Sequence, residues 1–515
     1  MARAGQAAAV QRRLQGVHQP LDLYAALTDG GRKADTLLFE KANGRAIIMT
    51  QAAVRAECRG REAELTALGF EGRLVLKHAA RLLEKHVVEK ERDRLLFRFP
   101  SCDDEDAEKR LLAPSPYDAL RALTLNIESL TKEEQLTLFA GGVIAFDHVD
   151  MFEALPTQAA DPIDFPDYLF WLAQSIIVIE PGGDARIVCT AFGADLEKDQ
   201  KRSHHGAVER LSTLVAACGT ITPRPPVPTP RPRADFEAEV DLEDEDYAAV
   251  VSRLKRNIVA GDVYQIVPSR TFSTACGNPL DAFARQRQLD PSPYMFFVAG
   301  PRHILFGASP ETSVKVSFED GAPIVEIKPI AGTRPRGETP DADDRMEADL
   351  RLDAKETAEH MMLVDLARND VARVSASGTR RVAKLLTVER YARVMHLVSA
   401  VTGRLAAGLD PFHALQACLN MGTLSGAPKL RAVELLRETE ATKRGPYGGA
   451  VGWVSGNGEM DSAVVIRSAL VKDGRAYVRA GAGVVHDSVP MAEAAETRSK
   501  ASAVLSALAE SEAAA

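Results

Sequence analysis

This sequence of 515 residues has no apolar run long enough to cross a bilayer. Its N-terminus (Met1-Ala-Arg-Ala-Gly) carries no hydrophobic signal core. A membrane protein and a secreted one are therefore not expected. Six scattered cysteines (Cys58, Cys102, Cys189, Cys218, Cys276, Cys418) form no C-x-x-C pair. That argues against a zinc site or a disulfide framework and suits reduced thiols in a cytoplasm. Positive charge is also short. Lys and Arg number 63 against 72 Asp and Glu, a net charge of −9, so no nucleic-acid or membrane partner is expected, and an anionic ligand needs a local cationic pocket. A Walker loop, a Rossmann glycine fingerprint and an HExxH helix are missing. So is a glycine-flanked nucleophilic cysteine of the amidotransferase kind, since Cys418 sits in the helical-looking Ala417-Cys-Leu-Asn. No internal repeat is visible.

What is present suits one large or two ordinary domains, with a hydrophobic fraction of 45%. Pro223 to Pro232 holds six prolines, and an acidic run follows. This reads as a surface connector over 223–245, between an N-terminal region (1–222) and a larger C-terminal one (246–515). Strands are expected at 46–50, 95–99, 263–268, 294–299, 304–306, 394–401, 449–454, 462–471 and 476–480. Helices are expected at 117–125, 247–258, 348–372, 428–437 and 490–509. Strands cluster between helical blocks rather than alternating with them. The fold class is therefore α+β with large antiparallel sheets, not a doubly wound nucleotide fold.

Two acidic pairs stand out. Glu356 and Glu359, and again Glu493 and Glu496, are spaced i, i+3 in helical stretches, so each pair shares one face. Brought together, they offer four hard oxygen ligands of the kind Mg²⁺ accepts; each alone also reads as a solvated helix face. The second pair follows Ala480-Gly-Ala-Gly-Val-Val, a strand leading through a turn into a helix.

Other segments point to an anionic ligand. Gly332-Thr-Arg-Pro-Arg-Gly combines glycines with Arg334 and Arg336 and reads as an anion loop or a solvated turn. Asn420-Met-Gly-Thr-Leu-Ser-Gly-Ala-Pro-Lys places a glycine/hydroxyl loop before a helix start, where free N–H groups attract carboxylates. Arg467 is a lone cation in an apolar stretch: half of a structural ion pair, or a carboxylate clamp. Tyr447 lies in a glycine-rich turn. His396 in an apolar strand and Glu311 after a turn are either satisfied core groups or proton-transfer groups.

Taken together, Lys328-Pro-Ile-Ala-Gly-Thr-Arg-Pro-Arg-Gly, the Glu356/Glu359 helix with Leu363-Val-Asp-Leu-Ala-Arg-Asn-Asp, Val394-Met-His-Leu, Gly422-Thr-Leu-Ser-Gly-Ala-Pro-Lys and Arg479-Ala-Gly-Ala-Gly-Val-Val resemble the chorismate-utilising enzymes. Within that family the nearest branch is anthranilate synthase component I, with similarity from about residue 36 to 508. The resemblance implies two large antiparallel sheets with peripheral helices and an active site between them. It implies a lyase that turns chorismate and ammonia into anthranilate and pyruvate with Mg²⁺. Glu356, Glu359, Glu493 and Glu496 would hold the metal. Arg467, Tyr447 and the Gly481-Ala482-Gly483 backbone would hold the enolpyruvyl carboxylate. Gly332, Thr333, Thr423, Gln265 and Lys500 would complete the substrate site. Glu311 is the candidate acid for the departing hydroxyl, and His396 the candidate for proton transfer at pyruvate elimination. Ammonia would come from glutamine through a separate amidotransferase subunit, so a hetero-oligomer is expected.

Two positions discriminate within the family. Ala331 stands where aminodeoxychorismate relatives often carry a nucleophilic lysine, and Gln265 where isochorismate and salicylate relatives carry a water-activating lysine. Both favour ammonia as the attacking group. An enzyme that stops at 2-amino-2-deoxyisochorismate is the runner-up. The resemblance also implies a tryptophan inhibitor site built from Glu40, Lys41, Asp290, Pro293, Tyr294, Met295 and Ala463. Lys41 and Asp290 depart from the usual serine and asparagine, and Ala463 from the cysteine of enteric-type members. An extra ammonium about 4 Å from that of an incoming amino acid costs on the order of 4 kcal/mol before screening, and Lys41 could pair with Asp290. Weakened feedback is therefore expected.

Overall fold

The computed structural model describes residues 2–102, 104–158, 161–223, 238–391 and 394–513. The strand Tyr168–Ile179 is buried along its whole length, which is why it reads as an unbroken apolar run. It pairs antiparallel with Ala46–Arg59 on one edge and with Ala140–Ile144 and Ala185–Phe192 on the other. Pairing then spreads outward. Thr36–Lys41 bridges Ala46–Arg59 and Tyr294–Ala299, and Ala140–Ile144 pairs with Ala450–Val454. Strands from both sides of the proline-rich segment therefore interleave. Among the described residues 23 strands join into one hydrogen-bonded network, so the two sheets expected are continuous, and a two-stranded ribbon (Gln265–Ile266 with Gly426–Ala427) stands apart. No helix among the described residues is long and apolar enough to cross a membrane.

Helices lie around this β structure. Ala354–Ala372 packs on the strands Ile330–Pro335 and Val394–Arg404, and Pro490–Ala513 packs on Arg475–Gly481. Ala501, Val504, Leu505 and Leu508 of the last helix enter the same core as Phe272, Val478 and Ala480. Both acidic helices are thus anchored by apolar faces on the sheet.

Several local expectations change. The single helix expected at 348–372 is two, Pro340–Leu352 and Ala354–Ala372. Asp353 leaves helical geometry (φ −71°, ψ 107°), and its carboxylate accepts the N–H groups of Lys355 and Glu356. This N-cap starts the second helix one turn ahead of Glu356. The strand expected at 462–471 is broken into Met460–Val464 and Ser468–Lys472, because Arg467 adopts the left-handed region at φ 46°. Only Gln265–Ile266 of 263–268 is strand. Residues 224–237 of the connector lie outside the described residues; beyond them Glu239–Val240 already pairs with Ser269–Ala275, and a helix begins at Asp244.

Candidate active site

The N-terminal turns of Ala354–Ala372 and Pro490–Ala513 carry the two acidic pairs, and the structure brings them into electrostatic contact. Burial pushes the Glu359 carboxyl above its ordinary value; Lys355 opposes this, while Glu356, Glu493 and Glu496 add to it. Burial also raises Glu493, with Glu496 adding to the effect. Carboxylates that repel one another across two helices are a donor set that a hard divalent cation relieves. Their oxygens are not gathered into a tight shell, however. Glu359 lies 3.8 Å from the Lys355 ammonium and Glu496 2.7 Å from that of Lys500. Among the described residues, the one group of potential ligand atoms within 4.8 Å of one another is Cys58, His148 and Asp167. There the thiol and carboxylate already serve the backbone of Gly60.

Gly332 (φ 73°) explains how the sheet reaches this cluster. A Cβ at that position would sit 3.2 Å from Glu356 Oε2 and 3.0 Å from Leu350, so a side chain would press on both, and the positive φ favours glycine. Next to it, His396 is buried, with Nδ1 3.1 Å from the Gly332 carbonyl oxygen and 3.0 Å from Thr333 Oγ1. A carbonyl only accepts, so Nδ1 carries the hydrogen and Nε2 presents a lone pair. Burial lowers the His396 pKa, which keeps the ring neutral.

Glu311 is also buried, and Thr423 Oγ1 donates to its Oε1 at 2.8 Å. Burial raises its pKa to about 7, against the opposing pull of Thr423 and Lys500. Lys500 therefore lies near both Glu311 and the acidic cluster, and its ammonium also donates to the Gly481 carbonyl at 3.0 Å. Tyr447, expected in a loose glycine turn, is buried against the Gly481 backbone N–H, and burial pushes its hydroxyl up to about 12. A Cβ on Gly483 would lie 3.0 Å from Gln265 Nε2. Glu311, His396, Thr423, Thr333, Gly332, Tyr447, Gly481, Gly483, Gln265 and Lys500 thus lie in linked contacts around the two acidic helices.

Other expectations need correction. Arg334 and Arg336 do not form an open anion loop: Arg334 pairs with Asp349, Asp353 and Glu356, and Arg336 with Asp343. Carboxylates of the two helices that follow the loop, and of the cap between them, already neutralise both. The Ala482 N–H is not offered to a ligand, since it points at the Pro268 carbonyl (3.3 Å) and the Tyr247 hydroxyl (3.3 Å). Arg467 is half of an ion pair, with Nη1 donating to both oxygens of Asp290 at 3.2 and 3.1 Å. Lys41 consequently does not pair with Asp290. Its ammonium pairs with Asp461 and sits 4.7 Å from the centre of the Tyr294 ring.

That lysine belongs to a second constellation. Tyr294 donates to Asp461 at 2.9 Å, and the buried Glu40 pairs with Arg287 at 2.8 Å. The cavity that Glu40, Lys41, Tyr294 and Asp461 line with Met295 and Ala463 has a volume of about 30 Å³, room for little more than water. Pro293 accepts the Ala42 N–H at 3.1 Å at its edge. Asp461 was overlooked in the sequence, although a lone acid in the apolar strand Met460–Val464 is the same signal that singled out Arg467. A buried hub of Glu440, Arg444 and Arg479 was missed as well.

Comparison with known proteins identifies the family. A family model described as chorismate binding enzyme matches residues 89–506. Anthranilate synthase component 1 of Vibrio cholerae is 44% identical over 95% of this chain and 94% of its own length. The pyocyanine-specific anthranilate synthase component 1 of Pseudomonas aeruginosa is 43% identical over 93% of this chain and 91% of its own. The crystal structure of anthranilate synthase component I from Streptococcus pneumoniae TIGR4 superposes with a TM-score of 0.69 at 28% identity, covering 90% of this chain and 92% of that one. With these motifs on this fold, the chain belongs to the chorismate binding enzyme family.

Proposed function

We propose that this chain is the large component of an anthranilate synthase, a lyase that converts chorismate and ammonia into anthranilate and pyruvate. The observation that carries the reading is a buried carboxyl with a pKa of about 7 set beside a cluster of four coupled carboxylates and one lysine. Glu356, Glu359, Glu493 and Glu496 would hold Mg²⁺, which draws electron density from the ring carboxylate and makes the ring more electrophilic. Arg467, which keeps donors beyond its pair with Asp290, and Lys500, beside Glu496, would face a substrate with two carboxylates, in a chain whose net charge is −9. Ammonia forms the new bond at C2 as the C4 hydroxyl leaves. Glu311, protonated near neutrality, donates the proton that lets it leave as water, and Thr423 fixes the carboxyl's orientation. His396, neutral and with Nε2 free to accept, removes the C2 proton as pyruvate departs and the ring becomes aromatic. No glutamine-hydrolysing machinery is visible in the sequence, so a separate amidotransferase chain would deliver ammonia, and six cysteines outside any disulfide suit a cytoplasmic setting.

The purified chain, given chorismate, Mg²⁺ and an ammonium salt, is expected to release anthranilate and pyruvate in equal amounts. Fluorescence follows the first product and a coupled dehydrogenase assay the second. A chelator should stop both and added Mg²⁺ restore them. Accumulation of an aminated intermediate without pyruvate would make the enzyme a 2-amino-2-deoxyisochorismate synthase instead.

The same reading includes weakened tryptophan feedback. The Lys41 ammonium occupies the pocket from within, paired with Asp461, and leaves about 30 Å³. Lys41→Ser is expected to lower the tryptophan concentration for half-inhibition at least tenfold. Half-inhibition of the unaltered chain by micromolar tryptophan would overturn this reading.

A further inference from the structure

We propose that Asp290 is a positioning residue for Arg467, holding the guanidinium so that its remaining donors face the substrate carboxylate. The inference rests on the reading of Arg467 as a carboxylate clamp and names what orients it.

The end of one helix grips Arg467 at two points. Asp290 caps the C-terminus of Pro279–Leu289, with its own N–H bonded to the Gln286 carbonyl at 2.9 Å. Its carboxylate takes Nη1 of Arg467. One turn earlier, the buried Gln286 donates from Nε2 to the Arg467 carbonyl at 2.7 Å, and Ala308 donates its N–H to the same oxygen at 3.2 Å. That carbonyl belongs to a residue at φ 46°, a conformation an arginine adopts only where its surroundings impose it. Backbone and side chain of Arg467 are therefore both set by Gln286 and Asp290.

The pairing leaves donors for a ligand. Among the described residues it uses Nη1 alone, whereas a guanidinium has five N–H groups in a rigid fork. The side chains remain 28% and 22% exposed, so the pair is open on one side. A long flexible cation left unheld would spend rotamer freedom on binding, and a held one has already lost it. The effect is expected chiefly in ground-state binding, because no hydrogen bond links the pair to Glu311 or His396 and their charges act on His396 in opposite senses, Arg467 lowering its pKa and Asp290 raising it.

The test is steady-state kinetics of the full chain with chorismate, Mg²⁺ and ammonium. Asp290→Ala is expected to raise the KM for chorismate at least tenfold, with kcat within about twofold. Asp290→Asn, which keeps an oxygen acceptor for Nη1, should recover most of that loss. In an Arg467→Gln background, Asp290→Ala should add nothing further, since the group it positions is gone. If Asp290→Ala fails to fold, judged by circular dichroism, Asp290→Ser replaces it in the same cycle. An unchanged or lower KM, or an equal loss in both backgrounds, overturns the proposal. If Arg467→Gln itself leaves the KM unchanged, the clamp reading falls; if it raises the KM while Asp290→Ala does not, only the positioning role falls.

Discussion

Replacing Glu311 by glutamine is expected to cut turnover by about 10²–10⁴, the usual contribution of a positioned general acid. The amide has the same shape and can still accept from Thr423, whose hydroxyl now lies 2.8 Å from the carboxyl. It cannot give up a proton, so the hydroxyl would have to leave as hydroxide. Chorismate binding should change little. The pH profile supplies a second check with a definite sign. Burial raises the Glu311 pKa to about 7, and the proposed mechanism uses the protonated form, so kcat/KM should fall as pH rises through about 7. Thr423→Val removes a hydrogen bond that favours the carboxylate, so the falling limb should move to higher pH. If Glu311→Gln turns over within tenfold of the parent, or if Thr423→Val moves the limb downward, another group is the acid.

The largest expected loss of stability comes from Glu440. Its carboxylate is buried and receives Arg444 through Nε and Nη2 (2.8 and 2.7 Å), Arg479 through Nη2 (2.8 Å), and both N–H and O–H of Ser269 (2.8 Å each). The two guanidinium groups also donate to the carbonyls of Leu424, Val267 and Lys443. Glu440→Ala would leave two buried cations without their counter-ion, a defect that costs about 3–5 kcal/mol when a buried pair loses one partner. Denaturant titration should show that loss, with Glu440→Gln intermediate because the amide keeps an acceptor but no charge. A variant within about 1 kcal/mol of the parent would mean that water or another anion replaces the carboxylate. Activity should fall with stability, since Arg444 holds the Leu424 carbonyl beside Thr423 and its guanidinium lies 5.8 Å from the Tyr447 ring centre. Burial alone would raise the Glu440 pKa, but Arg444 and Arg479 hold it below its ordinary value of 4.5. The folded carboxyl is thus the stronger acid. Its contribution is full above pH 4.5 and is lost as pH falls through the folded-state value.

How much of this could be read beforehand varied by residue. The acidic helix faces were legible because i, i+3 spacing is a local property, and both helices formed around Glu356/Glu359 and Glu493/Glu496. The break at Asp353 was hidden inside a favourable helical pattern, although an aspartate ahead of a run of helix formers is a cap signal. The break at Arg467 was invisible. Arginine has no preference for the left-handed region, and the conformation is imposed by Gln286 and Ala308, 181 residues distant in the case of Gln286. The Glu440 hub had a local hint in the i, i+4 pairing with Arg444, but Arg479 reaches it only through the strand Arg475–Gly481.

Residue type, short-range spacing and motif order sufficed to name the family and the acidic helices, since these depend on chemistry carried within a few residues of chain. The assignment of each charge to its counter-charge did not follow from them. Lys41 could as well have met Asp290 as Asp461, and Arg467 stood equally ready for a substrate or for a protein carboxylate. Strand register and helix packing bring together groups separated by 420 residues for Lys41 and Asp461 and by 177 for Arg467 and Asp290. Coulombic attraction at contact distance then selects among the neighbours that the fold has supplied.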